Sequence, residues 1–116
     1  MKNSMILFVV CVTLVLSSCN NTKAPLVDGF KNPPSEAKAR TWWHWINGNV
    51  TKEGITADLE AMKQVGIQEA QFFNVDQGYP EGDAEFLSPH WLDLFHFVVS
   101  EAKRLGLEIG FHNGAG

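Results

Sequence analysis

Cysteine is nearly absent, with two in 116 residues, Cys11 and Cys19. Nothing after Cys19 can form a disulfide or a thiolate metal site. Positive charge is also scarce: nine Lys and Arg face thirteen Asp and Glu, for a net charge of −4. A phosphate backbone wants clustered cations, so nucleic acid is excluded as a partner class. No apolar run approaches the roughly 20 residues a membrane-spanning helix needs. The longest is Met5–Leu16, twelve residues with Thr13 as the only polar one. Neither a Walker lysine nor a dinucleotide glycine loop occurs.

The apolar run follows Lys2 and has the length of a secretory core. It ends in Leu16-Ser17-Ser18-Cys19, which resembles the bacterial lipobox. The peptidase needs small residues before the cut, and the cysteine sulfur carries the diacylglycerol. Residues 1–18 are therefore expected to be a lipoprotein signal peptide, with Cys19 lipidated and the chain held to a membrane by acyl chains. An ordinary signal peptide with a chance cysteine is the competing reading. Asn20, where an aspartate would mark inner-membrane retention, favours the outer membrane or periplasm of a Gram-negative cell. Removing residues 1–18 leaves 98 residues, enough for one small core, and takes the charge to −5 through loss of Lys2.

Residues 19–39 are polar, contain Pro25, Pro33 and Pro34, and are expected to form a tether that becomes ordered near Phe30. Arg40–Ile46 is aromatic and β-prone. Asn47-Gly48-Asn49 breaks it, and Thr51 caps a helix carrying Ile55, Leu59, Met62 and Val65 at helical spacing. Gly66 closes that helix and Ile67–Val75 is a second strand. Asp76–Leu87 is a loop, Ser88-Pro89 opens a helix with a broad apolar stripe from Trp91 to Leu105, Gly106 closes it, and Leu107–His112 is a third strand. Lys63–Ile67 and Lys103–Leu107 echo each other at a spacing of 40. The order β-α-β-α-β predicts a parallel α/β sheet. Residues 40–116 are expected to be the start of a (β/α)8 TIM-type barrel, incomplete in this chain because such a barrel takes about 250 residues. A third strand at an open edge is a pairing hazard, consistent with the front of a longer protein.

In parallel α/β folds the chemistry gathers at the carboxyl ends of strands. Here those ends carry Trp43-His44-Trp45-Ile46-Asn47, Phe73-Asn74-Val75-Asp76 and Phe111-His112-Asn113. Aromatic rings stack on sugar faces, and Asn and His address hydroxyls, so a neutral carbohydrate suits the set better than a phosphate. The candidate sugar-binding residues are Trp43, His44, Asn47, Asn74, His112 and Asn113. Each has a plainer alternative: barrel packing for the tryptophans, a core histidine for His44, turn residues for the asparagines. On strand three, Ile109 and Phe111 are expected to face the helices, and Glu108, Gly110 and His112 the barrel interior. A glycosidase needs two carboxyl groups flanking the bond. Glu69 and Glu108 lie at strand starts, and Glu53, Asp58, Glu60, Asp93 and Glu101 on helices, mostly solvated. Asp76 alone directly follows a strand end. Glu81, Asp83 and Glu85 sit in the loop beyond it, as solvated or calcium-binding residues. No catalytic pair can be assigned, and His44 with His112 lacks a third metal ligand.

Trp42-Trp43-His44-Trp45-Ile46-Asn47-Gly48-Asn49-Val50-Thr51-Lys52-Glu53-Gly54-Ile55 resembles the opening strand and helix of glycoside hydrolase family 106, the α-L-rhamnosidases. Asp58–Lys63, Val65-Gly66-Ile67, Phe73-Asn74-Val75, Phe86–Pro89 with Trp91, and Gly110–Asn113 extend the resemblance across about residues 30–116. Gln68-Glu69-Ala70 departs from a more glycine-rich stretch. The resemblance implies a (β/α)8 barrel and removal of terminal α-L-rhamnose from rhamnose-containing glycans by inversion, with calcium assistance. It places the catalytic glutamates on later strands, so the chain is expected to be inactive alone. A lipid-anchored sugar-binding module and a non-functional truncation product are the alternatives.

Overall fold

The structure, a computed structural model, describes residues 26–76 and 78–113. The expected signal peptide, Cys19 and the start of the tether lie outside the described residues. Among those described, no helix is long and apolar enough to cross a membrane.

The described residues belong to two units divided after Asn32. In the first, helix α1 spans Leu26–Lys31, within the stretch read as tether. Asp28 in its first turn and Lys31 in its last complement the helix dipole. The Asn32 N–H bonds the Asp28 carbonyl at 2.9 Å. Polar composition concealed this turn of helix, which buries none of its own residues.

The second unit has a 3-10 turn at Ser35–Ala37, then β1 (Arg40–Ile46), α2 (Lys52–Gln64), β2 (Glu69–Val75), α3 (Pro89–Leu105) and β3 (Glu108–Phe111). The strands lie in the order β1-β2-β3, all parallel. The helix caps are those read from the sequence. Thr51 Oγ1 accepts from the Gly54 N–H at 3.1 Å, and Ser88 Oγ from the Trp91 N–H at 3.2 Å, with Pro89 as the first helical residue. The repeated segment is one helix stop used twice. Gly66 has φ +85° and Gly106 φ +66°. Each lets the next residue bond back to the last turn: Ile67 N–H to Met62 O at 3.0 Å and Leu107 N–H to Ala102 O at 2.9 Å. These bonds hold Ile67 and Leu107 at the helix ends, so β2 and β3 begin later than hydrophobicity alone suggests.

Both helices cover one face of the sheet. Ile55 and Leu59 of α2 and Leu94, Val98 and Ala102 of α3 form one core with Trp43 and Trp45 of β1 and Ala70 and Phe72 of β2. The described residues thus form a small parallel sheet, with its helices on one side. The core is aromatic. Phe72, fully buried, lies with its ring centroid 4.9 Å from Trp45, 5.7 Å from Trp91, 5.5 Å from Phe95 and 5.4 Å from Phe111. Steep interplanar angles dominate, the arrangement that ring quadrupoles favour.

Three carboxylates of the helices, Asp58, Glu60 and Glu101, hold partners. Asp58 Oδ2 accepts the Trp43 indole N–H at 2.9 Å. Glu101, whose side chain is only 13% exposed, accepts from Thr56 of α2 at 3.1 Å and from Arg104 at 2.7 Å. The Arg104 guanidinium also reaches Glu60 of α2 at 2.7 Å, tying the two helices together. Hydrogen bonds from Arg104 hold the Glu101 carboxyl below its ordinary range, partly opposed by desolvation, while the carboxylates raise the pKa of Arg104.

Two outcomes follow. Phe72→Ala removes the ring that four neighbours share and is expected to cost about 3–5 kcal/mol in urea denaturation. Glu101 titrates lower when folded than when unfolded. Its contribution is thus present above the ordinary glutamate value, about 4.3, and fades as pH falls through the lower folded value. Thermal midpoints should therefore separate wild type from Arg104→Gln at neutral pH and converge as the solution is acidified through that range.

Candidate functional site

Alternation along β1 divides its aromatics. Trp43 and Trp45 point to the helices at 6% and 2% exposure, while Trp42 and His44 point to the other, exposed face. The parallel register sets His44 beside Phe73, and Phe72 beside Phe111. The His112 N–H bonds the Phe72 carbonyl at 3.0 Å and continues that row. Four rings gather on this face. Trp42 stacks on His44 at 6.1 Å and 12°; Phe73 meets Trp42 at 5.5 Å, His44 at 5.6 Å and His112 at 4.4 Å, all steeply. Below them Arg40 pairs with Glu69 at 3.0 Å, on the strand-start side where the sequence places structural acids. Gly110 leaves room there: a Cβ on it would lie 2.5 Å from Glu69 Oε1. The predicted parity of β3 holds, since Phe111 stacks on Phe72 in the helix layer while His112 joins the opposite face.

At the carboxyl edge, the first βα turn and the second βα loop are stitched together. Asn47, with φ +47°, donates its amide to Tyr79 O at 2.7 Å. Asn49 donates its amide hydrogens to Pro80 O at 2.8 Å, Ile46 O at 3.1 Å and Asn47 O at 3.3 Å. The Gly82 N–H bonds Asn47 O at 2.8 Å and the Ala84 N–H bonds Gly48 O at 3.3 Å. Gly48 combines φ +73° with an approach so close that a Cβ would sit 2.6 Å from Ala84 O. Two clefts result. One, of about 360 Å³, is lined by His44, Ile46, Asn49, Tyr79 and Pro80 and carries no charged carboxylate or ammonium. The other, of about 650 Å³, lies between Gly48 and Phe86 and carries Asp76, Glu81, Asp83 and Glu85. No lysine or arginine lines either cleft.

The structure thus gathers His44 and His112 on one face, with Asn113 exposed just beyond. It does not bring Trp43 or Asn74 to them. Trp43 is in the helix-side core with its indole on Asp58. Asn74, 3% exposed and level with Trp45, donates to Asp76 Oδ1 at 2.9 Å and braces the strand end. The Asn47 side chain is committed to the loop. Trp42 and Phe73, on the same face, and Tyr79, lining the neutral cleft, were not among the candidates. Alternation held the signal for Trp42: Arg40 and His44 share its parity, and polar residues mark the face turned away from the helices. Tyr79 had none, because only the loop's return onto Asn47 places it. Among the described residues no three His, Asp or Glu side chains converge as a metal site. The calcium implied by the resemblance would need carbonyl or amide oxygens beside carboxylates such as Asp76, Glu81, Asp83 and Glu85, and no step passes through it. Asn49→Ala is expected to release the loop, with faster amide hydrogen exchange at Gly82 and Ala84 and a stability loss of about 1–2 kcal/mol.

Comparison with known proteins bears on the fold and the family. The sequence profile of the α-L-rhamnosidases, glycoside hydrolase family 106, matches residues 31–116. A solved rhamnosidase from Novosphingobium sp. PP1Y superposes with a TM-score of 0.71 at 44% identity, over 81% of this chain and 9% of that one. A protein of Formosa agariphila named "Putative beta-glucuronidase" is 69% identical over 91 residues, which is 78% of this chain and 8% of the relative. The chain spans less than a tenth of the length of either protein. With the profile covering most of its residues, from the end of α1 through β3, the chain belongs to glycoside hydrolase family 106.

Proposed function

We propose that this chain contributes the first strands and part of the sugar-binding edge of an exported (β/α)8 glycoside hydrolase that cleaves terminal α-L-rhamnosidic bonds in glycans. The observation that carries the reading is the pairing of an exposed Trp42–His44–Phe73–His112 face with a neutral cleft at the carboxyl edge of the sheet. Rings offer stacking faces, imidazoles and amides address hydroxyls, and such convergence suits a small polar ligand with apolar faces. Family membership supports the reaction class. The carboxyl pair that hydrolysis requires comes from parts of the family's domain beyond the matched segment. Asp76, already holding Asn74, is in this reading a brace. Lipidation of Cys19 would place the enzyme at the outer membrane or in the periplasm.

The name of the Formosa relative raises a second reading, a β-glucuronidase. A glucuronide carries a carboxylate, and both clefts lack a cation to receive it, while the larger holds four acids that would repel it. This charge pattern favours a neutral sugar.

Two aryl glycosides separate the readings. 4-Nitrophenyl α-L-rhamnopyranoside and 4-nitrophenyl β-D-glucuronide are offered to the chain alone and to the chain joined in frame to the remainder of the Novosphingobium rhamnosidase. Turnover of the rhamnoside by the joined protein only is expected. Preference for the glucuronide would remove the rhamnoside reading, and turnover by the chain alone would remove the assignment of the carboxyl pair.

A further inference from the structure

We propose that the cleft between His44 and Tyr79 is a binding subsite for one neutral pyranose, with Tyr79 as its specificity-determining wall and Asn47 and Asn49 as the residues that position that wall. This rests on the carbohydrate reading above and assigns it to particular atoms.

The cleft's volume, about 360 Å³, lies at the small end of the range for small-molecule sites, which suits a single ring better than an oligosaccharide. Its walls divide by chemistry. Ile46, Pro80 and the Tyr79 ring are apolar, and Tyr79 is 62% exposed although the loop that carries it is pinned. An exposed aromatic on a fixed backbone offers a stacking face at little entropic cost. His44, Tyr79 and Asn49 are the lining residues that carry polar groups. Asn49 spends its amide hydrogens on the Ile46, Asn47 and Pro80 carbonyls, which orients the group and leaves the oxygen as an acceptor. Asn47 and Asn49 grip successive carbonyls, those of Tyr79 and Pro80, at 2.7 and 2.8 Å. That grip sets where the phenol stands relative to His44. Asn47 thus acts through Tyr79 and does not itself touch the sugar.

The test titrates the full chain, kept in detergent micelles on account of its apolar segment, with methyl α-L-rhamnopyranoside under ¹H–¹⁵N NMR. Saturable shifts are expected at the Asn49 side-chain amide, His44 and Tyr79, with a Kd of about 1–10 mM. Tyr79→Ala should weaken binding about fivefold or more, and Tyr79→Phe about twofold or less, since the ring is retained. Asn47→Ala should move the Tyr79 resonance before any sugar is added. Unchanged Phe72 and His112 amides in each variant certify the fold. Shifts confined to Trp42 and His112, with Tyr79→Ala binding normally, would overturn the subsite and leave the carbohydrate reading standing. An absence of shifts with the rhamnoside would overturn the subsite. Binding of sodium glucuronate in its place would overturn the rhamnoside reading as well.

Discussion

The parallel register of β1 on β2 is the constraint on which the rest of this structure depends. It sets Trp43 level with Phe72, Trp45 level with Asn74 and His44 level with Phe73. Side chains alternate along each strand, so one register decides both faces at once. A slip of one residue would send Trp43 and Trp45 away from the helices and bury His44 among Ile55, Leu59 and Val98. The aromatic core that packs around Phe72 makes that slip costly. The site face is therefore determined by the core face: His44, Phe73 and Trp42 stand together because Trp43, Trp45 and Phe72 stand together behind them.

The second organising contact is the seam between the two βα connections. Main-chain bonds from Gly82 and Ala84, and side-chain amides from Asn47 and Asn49, bind the longer loop to the shorter turn. Gly48 permits this because its backbone is left-handed and lies against Ala84 with no room for a side chain. The seam yields two clefts of opposite character, one neutral beside His44 and one acidic beside Phe86. Asparagine fits such a seam because its amide donates to several carbonyls at once and it tolerates the positive φ seen at Asn47.

Much of the architecture was legible from local signals. Thr51 and Ser88-Pro89 start helices, Gly66 and Gly106 stop them, and hydrophobic spacing shows which helix faces are apolar. These signals act within a few residues, so they survive without tertiary context. The helix in the tether was not legible, because six residues of mixed polarity carry too little periodicity. The partners of the helix carboxylates were not legible for a different reason. Asp58 and Glu101 sit at surface positions of their helices, and only packing brings the Trp43 indole to one and Thr56 to the other.

The sequence by itself determined the order β-α-β-α-β, the family, the parity of β3 and the placement of His44 and His112 at strand ends. It did so because caps, glycine stops and alternation are encoded in neighbouring residues. Only the tertiary structure decided that Trp42 and not Trp43 stands on the His44 face, that Asn74 and Asn47 brace the backbone, and that Tyr79 and His44 line one cleft. Those outcomes depend on strand register and on a loop returning across about thirty residues of chain, a closure whose energy comes from contacts that no local window contains.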